Sequence, residues 1–377
     1  MSKVSFILPL LIINLVTGMA QDFTELQNTI ENKLLGKLTP GIQYLIADKN
    51  GVIYEYEGGF ANIDSQTPVT AETEMKMYSA TKILTTIAIM QLYEQGKVIL
   101  DEPVENYLPQ YKFSDAFTIR QLLCHTSGVT NKPFVTKIHL ASEHADFNEK
   151  EAAKQLIEEN LKLKYKPGKK KAYSNFGFLI LGEIVEEVSG VPYKQYVAEN
   201  ILNKIDSGNQ QIGFSFNNKT ARAYQKRFSF MTVIYKMVAD KKYWLKKEGK
   251  FYSFEDLYIN HSSYGGAFAS SHAMLALGQE LLNSDNTILK PETIKEMFTE
   301  QKLSNGKNAG HALGWWIGEL DGHKYYYHPG GGGGYSCELR VYPDLGVVSV
   351  VMMNKTQDFS DLKLLSKFDK QVLGINK

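Results

Sequence analysis

The pattern of apolar and polar positions predicts strands at both ends of the chain and helices between them. Residues 23–38 carry apolar side chains at helical spacing, and residues 41–56 predict two strands around a turn at 48–51. From Ile83 to about residue 205, helical patterns dominate and are interrupted by glycine and proline. Helices are predicted again at 270–282, 291–299 and 360–373, and short strands at 313–320, 324–328, 335–342 and 347–353.

These elements indicate an α+β fold. The short turns between the terminal strands leave no room for a crossover helix, so the predicted sheet is mostly antiparallel and flanked by helices. A mainly helical subdomain with a cap, roughly residues 85–262, is inserted into this unit. Within it, residues 206–262 are rich in aromatics and lysine and are interpreted as a cap or side wall. We expect a functional site in the cleft between the two lobes.

The N-terminus differs from the rest of the chain. Lys3 precedes an apolar run at residues 6–16, and small residues at 18–20 follow it. This pattern predicts a signal peptide, residues 1–20, cleaved after Ala20 to leave a mature domain of residues 21–377. The run is too short to span a bilayer, although an uncleaved anchor is the alternative. We expect a periplasmic or secreted protein without stable membrane insertion after cleavage.

Composition and charge narrow the classes of partner. The content is 43% hydrophobic and 22% charged, and the 42 basic residues nearly balance the 41 acidic ones. Such a balance predicts no nucleic-acid partner. The lysine-rich segments 162–171 and 236–250 are interpreted as solvated faces or as the edge of a substrate entrance. The oligomeric state remains open.

Two cysteines, Cys124 and Cys337, are the only ones in the chain. Neither has a second cysteine or histidine at the spacing of a zinc site, so no metal is predicted, and nothing indicates a cofactor. Whether they form a disulfide stays open at this point. Each is interpreted as a small buried residue.

A serine followed three residues later by lysine occurs three times, at Ser79/Lys82, Ser304/Lys307 and Ser360/Lys363. Ser304 precedes Asn305-Gly306, which is typical of a turn, and Ser360 has the position of a helix cap. Only Ser79 opens a long apolar helix. It is therefore the candidate nucleophile.

The chemistry of Ser79 requires a group that takes its proton. A spacing of three on a helix places Lys82 on the same face, and the unpaired N–H of Ser79 at the helix start suits a developing oxyanion. Tyr173, in Tyr173-Ser174-Asn175, is the candidate proton shuttle, because a nearby lysine cation draws a phenol toward phenolate. Which of Lys82 and Tyr173 is the main base stays open. Asn175 is expected to hydrogen-bond Lys82 or the substrate, or else to be a plain turn residue.

A third segment, His328-Pro329-Gly330, opens a run of five glycines. The run lacks a following Lys-Ser/Thr and leads into a strand pattern, which excludes a phosphate-binding P-loop. Its absence of side chains allows close approach of backbone to a ligand, and the N–H of Gly331 is the candidate for a second oxyanion donor opposite Ser79. His328 is a candidate substrate contact, and a structural histidine is the alternative.

These motifs resemble the serine beta-lactamase and penicillin-binding-protein-like superfamily, in particular its class C-like branch with D-Ala-D-Ala carboxypeptidases, D-aminopeptidases and esterases. The segment Leu122-Leu123-Cys124-His125-Thr126-Ser127-Gly128 is similar to a family signature, and Pro167-Gly168 leads into Tyr173-Ser174-Asn175 as in the family. The resemblance covers about residues 25–372. It implies that Ser79 is acylated, that Lys82 and Tyr173 exchange its proton, and that Asn175, His328, Gly330 and Gly331 form the substrate and oxyanion side.

Two departures from the family bear on the substrate. His328 stands where beta-lactamases of this branch usually have lysine, and Pro329 removes a hydroxyl that would bind a substrate carboxylate. The resemblance thus implies an exported serine hydrolase of carboxypeptidase or esterase type. Its expected substrate is a peptide, amide or ester, and cell-wall-derived peptides are among the candidates. A beta-lactamase, a penicillin-binding sensor without turnover and an inactive relative remain as alternatives.

Overall fold

The computed structural model describes residues 23–131, 138–208, 211–238, 240–285, 287–356 and 363–374. The helices are α1 Thr24–Thr29, α2 Lys82–Glu94, α3 Ile119–Leu123, α4 Glu149–Glu158, α5 Asn175–Ser189, α6 Tyr193–Asn200, α7 Phe230–Val238, α8 Ser262–Gly265, α9 Ser271–Glu280, α10 Pro291–Met297 and α11 Leu364–Leu373. The predicted signal peptide, and the predicted start of the last helix at 360, lie outside the described residues.

The strands are β1 Gly41–Asp48, β2 Gly51–Asn62, β3 Thr67–Pro68, β4 Met75–Lys76, β5 Ile138–Leu140, β6 Tyr224–Lys226, β7 Trp244–Glu248, β8 Phe251–Phe254, β9 Leu257–Ile259, β10 Phe268–Ala269, β11 Trp316–Leu320, β12 His323–Gly332, β13 Tyr335–Tyr342 and β14 Val347–Met353. A seven-stranded sheet has the order β11-β12-β13-β14-β1-β2-β3, and its neighbouring strands are antiparallel. The α+β, mostly antiparallel fold is thereby confirmed.

The sheet is buried on both faces, which explains why its central strands are apolar at nearly every position. In β1, Ile42, Tyr44 and Ile46 contribute to a core shared with α1 and α11. Leu45 and Ala47 point the other way, into the larger core that contains α2, α5 and α9. The terminal helices thus cover one face, and the rest of the protein covers the other.

A buried polar cluster joins α11 to the sheet. Arg340 is 1% exposed, and its guanidinium lies 2.6 Å from Glu338 and 3.3 Å from Asp369. The Asp369 carboxylate also accepts hydrogen bonds from the hydroxyls of Tyr44, Tyr342 and Ser349. Every charge in this cluster therefore has a partner, as burial requires.

The segment interpreted as a cap contains regular structure that weak periodicity did not reveal. Strands β6, β8 and β7 form a separate three-stranded sheet, and α7 lies between β6 and β7 in the chain. Tyr235 of α7 packs against Phe254 of β8, with ring centroids 6.1 Å apart. In the described part of the chain, no helix has the length and apolar character to cross a membrane.

Candidate active site

Ser79 lies in a 3₁₀ turn, Tyr78–Thr81, that runs directly into α2. The preceding residue, Tyr78, has a φ of 44°, in the left-handed region that a bulky residue rarely occupies. Its hydroxyl donates a hydrogen bond of 2.6 Å to the carbonyl of Gly333. The backbone immediately before the nucleophile is thus held in an unfavourable conformation and tied to the glycine run.

Lys82 is completely buried one turn after Ser79. Its ammonium donates to Asn175 Oδ1 and to the carbonyl of Tyr264, both at 2.8 Å. Among the described residues no carboxylate pairs with it, so burial holds the pKa of Lys82 well below its usual range. A neutral amine at this position is able to accept a proton.

Tyr173 completes the set next to Ser79. Its hydroxyl lies close enough to that of Ser79 for the serine to influence its pKa, and the Lys82 Nζ lies 5.1 Å from the centroid of the tyrosine ring. Burial raises the pKa of Tyr173, and the hydrogen bond with Ser79 offsets this only in part. The expected shift of Tyr173 toward phenolate is therefore not found, because burial raises its pKa and also favours the neutral form of Lys82. Tyr173 is suited to relay a proton to Lys82.

His125 holds the tyrosine in place. Its ring packs 4.6 Å from that of Tyr173, and its Nδ1 accepts a hydrogen bond of 3.3 Å from the Ser174 amide. The carbonyl of His125 accepts another from the Ala172 amide. His125 lies in the segment that is similar to a family signature, but nothing in the sequence indicated that it contacts both neighbours of Tyr173.

Asn175 is the first residue of α5, and the local sequence explains its orientation. The hydroxyl of Ser174 caps the helix by accepting from the Gly177 amide at 2.9 Å. Asn131 Oδ1 accepts from the backbone amides of Asn175 and Phe176. With its backbone fixed at the helix start, Asn175 directs its side chain toward Lys82, which agrees with the hydrogen bond expected from the sequence.

The glycine run brings β12 against the nucleophile turn. Strand β11 pairs with β12 only as far as Tyr327, so residues 328–332 approach the turn along that edge. A Cβ at Gly330 would collide with the Met77 carbonyl, and one at Gly332 would lie 2.6 Å from the Tyr78 ring. Glycine at 330 and 332 thus allows β12 to pack closely against the turn that contains Ser79, whereas the predicted approach to a ligand stays a prediction.

The structure places His328 differently from the expectation. It is fully buried, its Nδ1 lies 2.9 Å from the Pro329 carbonyl, and its Nε2 has no hydrogen-bond partner among the described residues. Neither His328 nor Gly330 lines the cavity at Ser79. Strand alternation turns the imidazole to the interior, so the sequence position at the cleft edge did not reveal the side-chain direction.

Three buried histidines lie near Lys82: His125, His311 and His328. Burial lowers the pKa of His311 to about 4 and the pKa values of the other two well below their usual range. Lys82 lowers the pKa of His125 and of His328 further. Burial thus disfavours the charged form of all three imidazoles, so none of them is suited to pair with a substrate carboxylate.

A cavity of about 290 Å³ opens at Ser79, and Asn175, Tyr264 and Gly331 also line it. Its other walls are mainly apolar and aromatic, formed by Tyr78, Ile138, Tyr235, Tyr243, Phe254, Leu257 and Ile259. Lys76, which the sequence analysis missed, lines the cavity as well and donates to the Leu257 carbonyl. Burial lowers the pKa of Lys76 to about 7.

The structure also tests the other candidate groups. Cys124 and Cys337 are both free and buried, as interpreted from the sequence. Ser304 lies in a turn and hydrogen-bonds the Gly168 carbonyl, whereas Ser360 is outside the described residues.

Among the residues described, one group brings three metal-ligating atoms together, at Glu55, Glu57 and His272. His272 Nε2 lies 2.8 Å from Glu55, and the hydrogen bonds with both glutamates raise the pKa of His272. An ion pair accounts for this group.

Comparisons with known proteins agree with this geometry. The sequence profile of the family described as Beta-lactamase matches residues 26–373. Penicillin-binding protein 4* of Bacillus subtilis is 24% identical over 87% of this chain and 71% of its own length. Protein flp of Staphylococcus aureus strain MW2 is 26% identical over 59% of this chain, and the match spans 48% of that relative, about half its length.

Solved structures have the same fold. An octameric penicillin-binding protein homologue from Pyrococcus abyssi superimposes with a TM-score of 0.74 at 24% identity, covering 94% of this chain and 78% of that one. A D-amino acid amidase from Ochrobactrum anthropi superimposes with a TM-score of 0.71 at 17% identity, covering 93% of this chain and 98% of the amidase. Because the profile match spans most of the chain, the protein belongs to the Beta-lactamase family of serine hydrolases and penicillin-binding proteins, in its class C-like branch.

Proposed function

We propose that this protein is a serine hydrolase that cleaves esters or amides through an acyl-enzyme on Ser79. The observation that carries the proposal is the pairing of Ser79 with Tyr173 next to a buried lysine that lacks a carboxylate partner in the described chain. A lysine with a lowered pKa is a proton acceptor rather than a structural cation.

The proton route follows from these contacts. Ser79 Oγ bonds to the substrate carbonyl carbon while its proton passes through Tyr173 to Lys82, and the alcohol or amine then leaves with that proton. Water then attacks the acyl carbon and gives a proton to the same groups. That proton returns to Ser79 Oγ as the bond between Oγ and the acyl carbon breaks, which releases the acid and free serine. The backbone amides of Ser79 and Gly331, which line one cavity, stabilise the oxyanion in both steps.

The cavity supports an apolar acyl group as the preferred substrate part. Its mainly apolar and aromatic walls gain from burying hydrocarbon. His328, where relatives have lysine, is buried and neutral, so recognition of a terminal carboxylate is weakened. This favours an esterase or amidase over a D-Ala-D-Ala carboxypeptidase or a beta-lactamase.

A substrate panel with matched serine variants tests the proposal. Acyl esters of increasing chain length, a D-Ala-D-Ala peptide and a chromogenic cephalosporin are assayed with wild type, Ser79→Ala and Ser304→Ala. Ser304 provides the control because it belongs to the second serine–lysine motif of the chain. We expect turnover and a fluorophosphonate mass adduct in wild type and Ser304→Ala, with both absent from Ser79→Ala.

Other results would change the assignment. Full turnover by Ser79→Ala would overturn the acyl-enzyme, and fastest turnover of the cephalosporin would indicate a beta-lactamase. A stable penicillin adduct on Ser79 without turnover of any substrate would indicate a binding or sensor protein.

We also propose that the protein is exported and cleaved after Ala20, on the basis of the apolar run at residues 6–16. N-terminal sequencing of the protein from its native cell envelope would give Gln21 as the first residue. A sequence beginning near Met1 would favour the uncleaved anchor.

A further inference from the structure

Helix α7 leaves one apolar face uncovered. Phe230, Val233 and Met237 are 71%, 58% and 81% exposed, and Phe228 just before the helix is 82% exposed. Positions three and four apart lie on the same side of a helix, so Phe230, Val233 and Met237 form a continuous stripe, and Phe228 precedes it in the chain. We call Phe228, Phe230, Val233 and Met237 together the outer face of α7. The large apolar side chains that are exposed elsewhere in the described chain are more scattered, at Val52, Phe60, Tyr93, Ile99 and Leu245.

The segment that carries the outer face is rich in basic residues. Residues 226–250 contain eight lysines and arginines but only two acidic residues, Asp240 and Glu248. Glu248 is buried and accepts hydrogen bonds from Tyr224 and Ser253, so it contributes little to the surface. The segment as a whole presents apolar and positive groups together.

Most of these lysines are available to an external anion. Lys242 pairs with Glu143 and Lys246 with Asp64. In the described ranges no carboxylate pairs with the remaining exposed lysines of the segment, which are Lys236, Lys241, Lys247 and Lys250. Lys236 instead donates to the Tyr252 hydroxyl.

We propose that the outer face of α7 binds the surface of an anionic lipid bilayer. A short helix with an apolar face and a lysine-rich border lies in the interface, where its apolar side chains enter the acyl boundary and its lysines meet anionic headgroups. A second copy of this chain fits the same surface less well, because two-fold pairing would bring the two lysine borders together.

The position of the helix connects this surface to the active site. Tyr235 projects from the opposite side of α7 and lines the cavity at Ser79. A membrane bound to the outer face would therefore lie one helix diameter from the acyl pocket. Docking and hydrolysis remain separable, since none of the outer-face residues lines the cavity.

An environment-sensitive fluorophore on Met237→Cys in the full chain tests the proposal. Labelling is selective because the two native cysteines are buried. With vesicles of phosphatidylcholine and phosphatidylglycerol in equal parts, we expect a blue shift and increased emission. Vesicles of phosphatidylcholine alone should produce neither change, and high salt should abolish both. The matched control is Val52→Cys, an exposed apolar site on β2, whose emission should not change. Because the label reports from residue 237, binding through residues 6–16 would not produce the signal.

Variants of the lysines and of the apolar side chains complete the test. With the label kept at 237, Lys241→Gln with Lys247→Gln should weaken binding on the order of tenfold at low salt, and Phe228→Ser with Phe230→Ser should abolish the blue shift. Hydrolysis of a soluble ester reports whether each variant is folded. Equal emission at 237 with and without anionic vesicles would overturn the proposal. Concentration-dependent self-association that the Phe228/Phe230 variant abolishes would overturn it in favour of a second copy.

Discussion

Two buried cations show opposite uses of charge in this protein. Arg340 lies between the sheet and α11 and pairs with Glu338 and Asp369. Lys82 is the first residue of α2, and its hydrogen bonds among the described residues go to a side-chain amide of α5 and a backbone carbonyl of α8. Both side chains are inaccessible to solvent, at 1% and 0% exposure, so burial alone does not distinguish them.

The difference lies in the neighbouring carboxylates. Glu338 and Asp369 keep Arg340 charged, so the cluster fixes how α11 docks on the sheet. Lys82 has no such partner in the described chain, and the cost of desolvating its charge makes the neutral amine accessible. A paired buried cation therefore serves structure here, and an unpaired one serves chemistry. Four predictions test this comparison.

The largest effect is expected from Lys82→Met. Loss of the proton acceptor should lower the rate of Ser79 acylation on the order of 10³–10⁴-fold. Thermal unfolding should change little, because the variant also removes the cost of burying the amine. Stopped-flow acylation and calorimetry measure the two quantities. Near-wild-type acylation, or a large loss of stability, would show that Lys82 is a structural cation after all.

Asp369→Ala should have the reverse outcome. Removing the carboxylate leaves Arg340 partly unpaired and three hydroxyls without their acceptor, so the free energy of unfolding should fall by about 3–5 kcal/mol. The acylation rate of the folded protein should stay at the wild-type level. Denaturant titration measures the loss, and Asp369→Asn is the matched control, expected to lose less. Unchanged stability in the alanine variant would contradict the structural role of the cluster.

Tyr173→Phe should have a smaller effect than Lys82→Met. The phenylalanine keeps the packing against His125 but cannot relay the Ser79 proton, so acylation should fall on the order of 10²-fold. Single-turnover kinetics with an activated ester provide the measurement. A loss larger than that of Lys82→Met would identify the tyrosine as the main base.

The pH dependence of the acylation rate is expected to be the smallest of the four effects near neutral pH. The lowered pKa of Lys82 means that its neutral, active form persists below the usual lysine range. Acylation should therefore fall as pH decreases through this pKa, by about tenfold per pH unit, and level off above it. The three buried histidines titrate with lowered pKa values, and they would add a further loss only in more acidic solution. A pH–rate profile that rises only above pH 10 would contradict a depressed pKa.

The sequence predicted the framework and the order of the motifs well. The strands at 335–342 and 347–353 are found at the predicted positions, because continuous apolar runs between turn residues mark buried strands. The choice of Ser79 over Ser304 was equally local, since a helix start and a turn differ in their immediate neighbours. The contact between Asn175 and Lys82 was one of the alternatives that the sequence left open, and the structure shows it.

Other features depended on contacts between distant segments. The strands of the cap were missed because β7 is mostly solvent-exposed and lacks alternation. His328 was expected at the cleft, yet its side chain faces the interior, and neither the register of β12 nor the helices that face it can be read from a three-residue motif. Lys76 and Asn131 carried no signal beyond proximity to a motif.

The sequence by itself determined that a serine, a lysine and a tyrosine are available in the order of this family, on an α+β framework with short antiparallel connections. Only the tertiary structure decided their ionisation, because a pKa depends on burial and on neighbours from α5, α8 and β12 that are far apart in the chain. The same holds for the substrate side, where folding buried His328 as a neutral group and assembled the apolar cavity at Ser79.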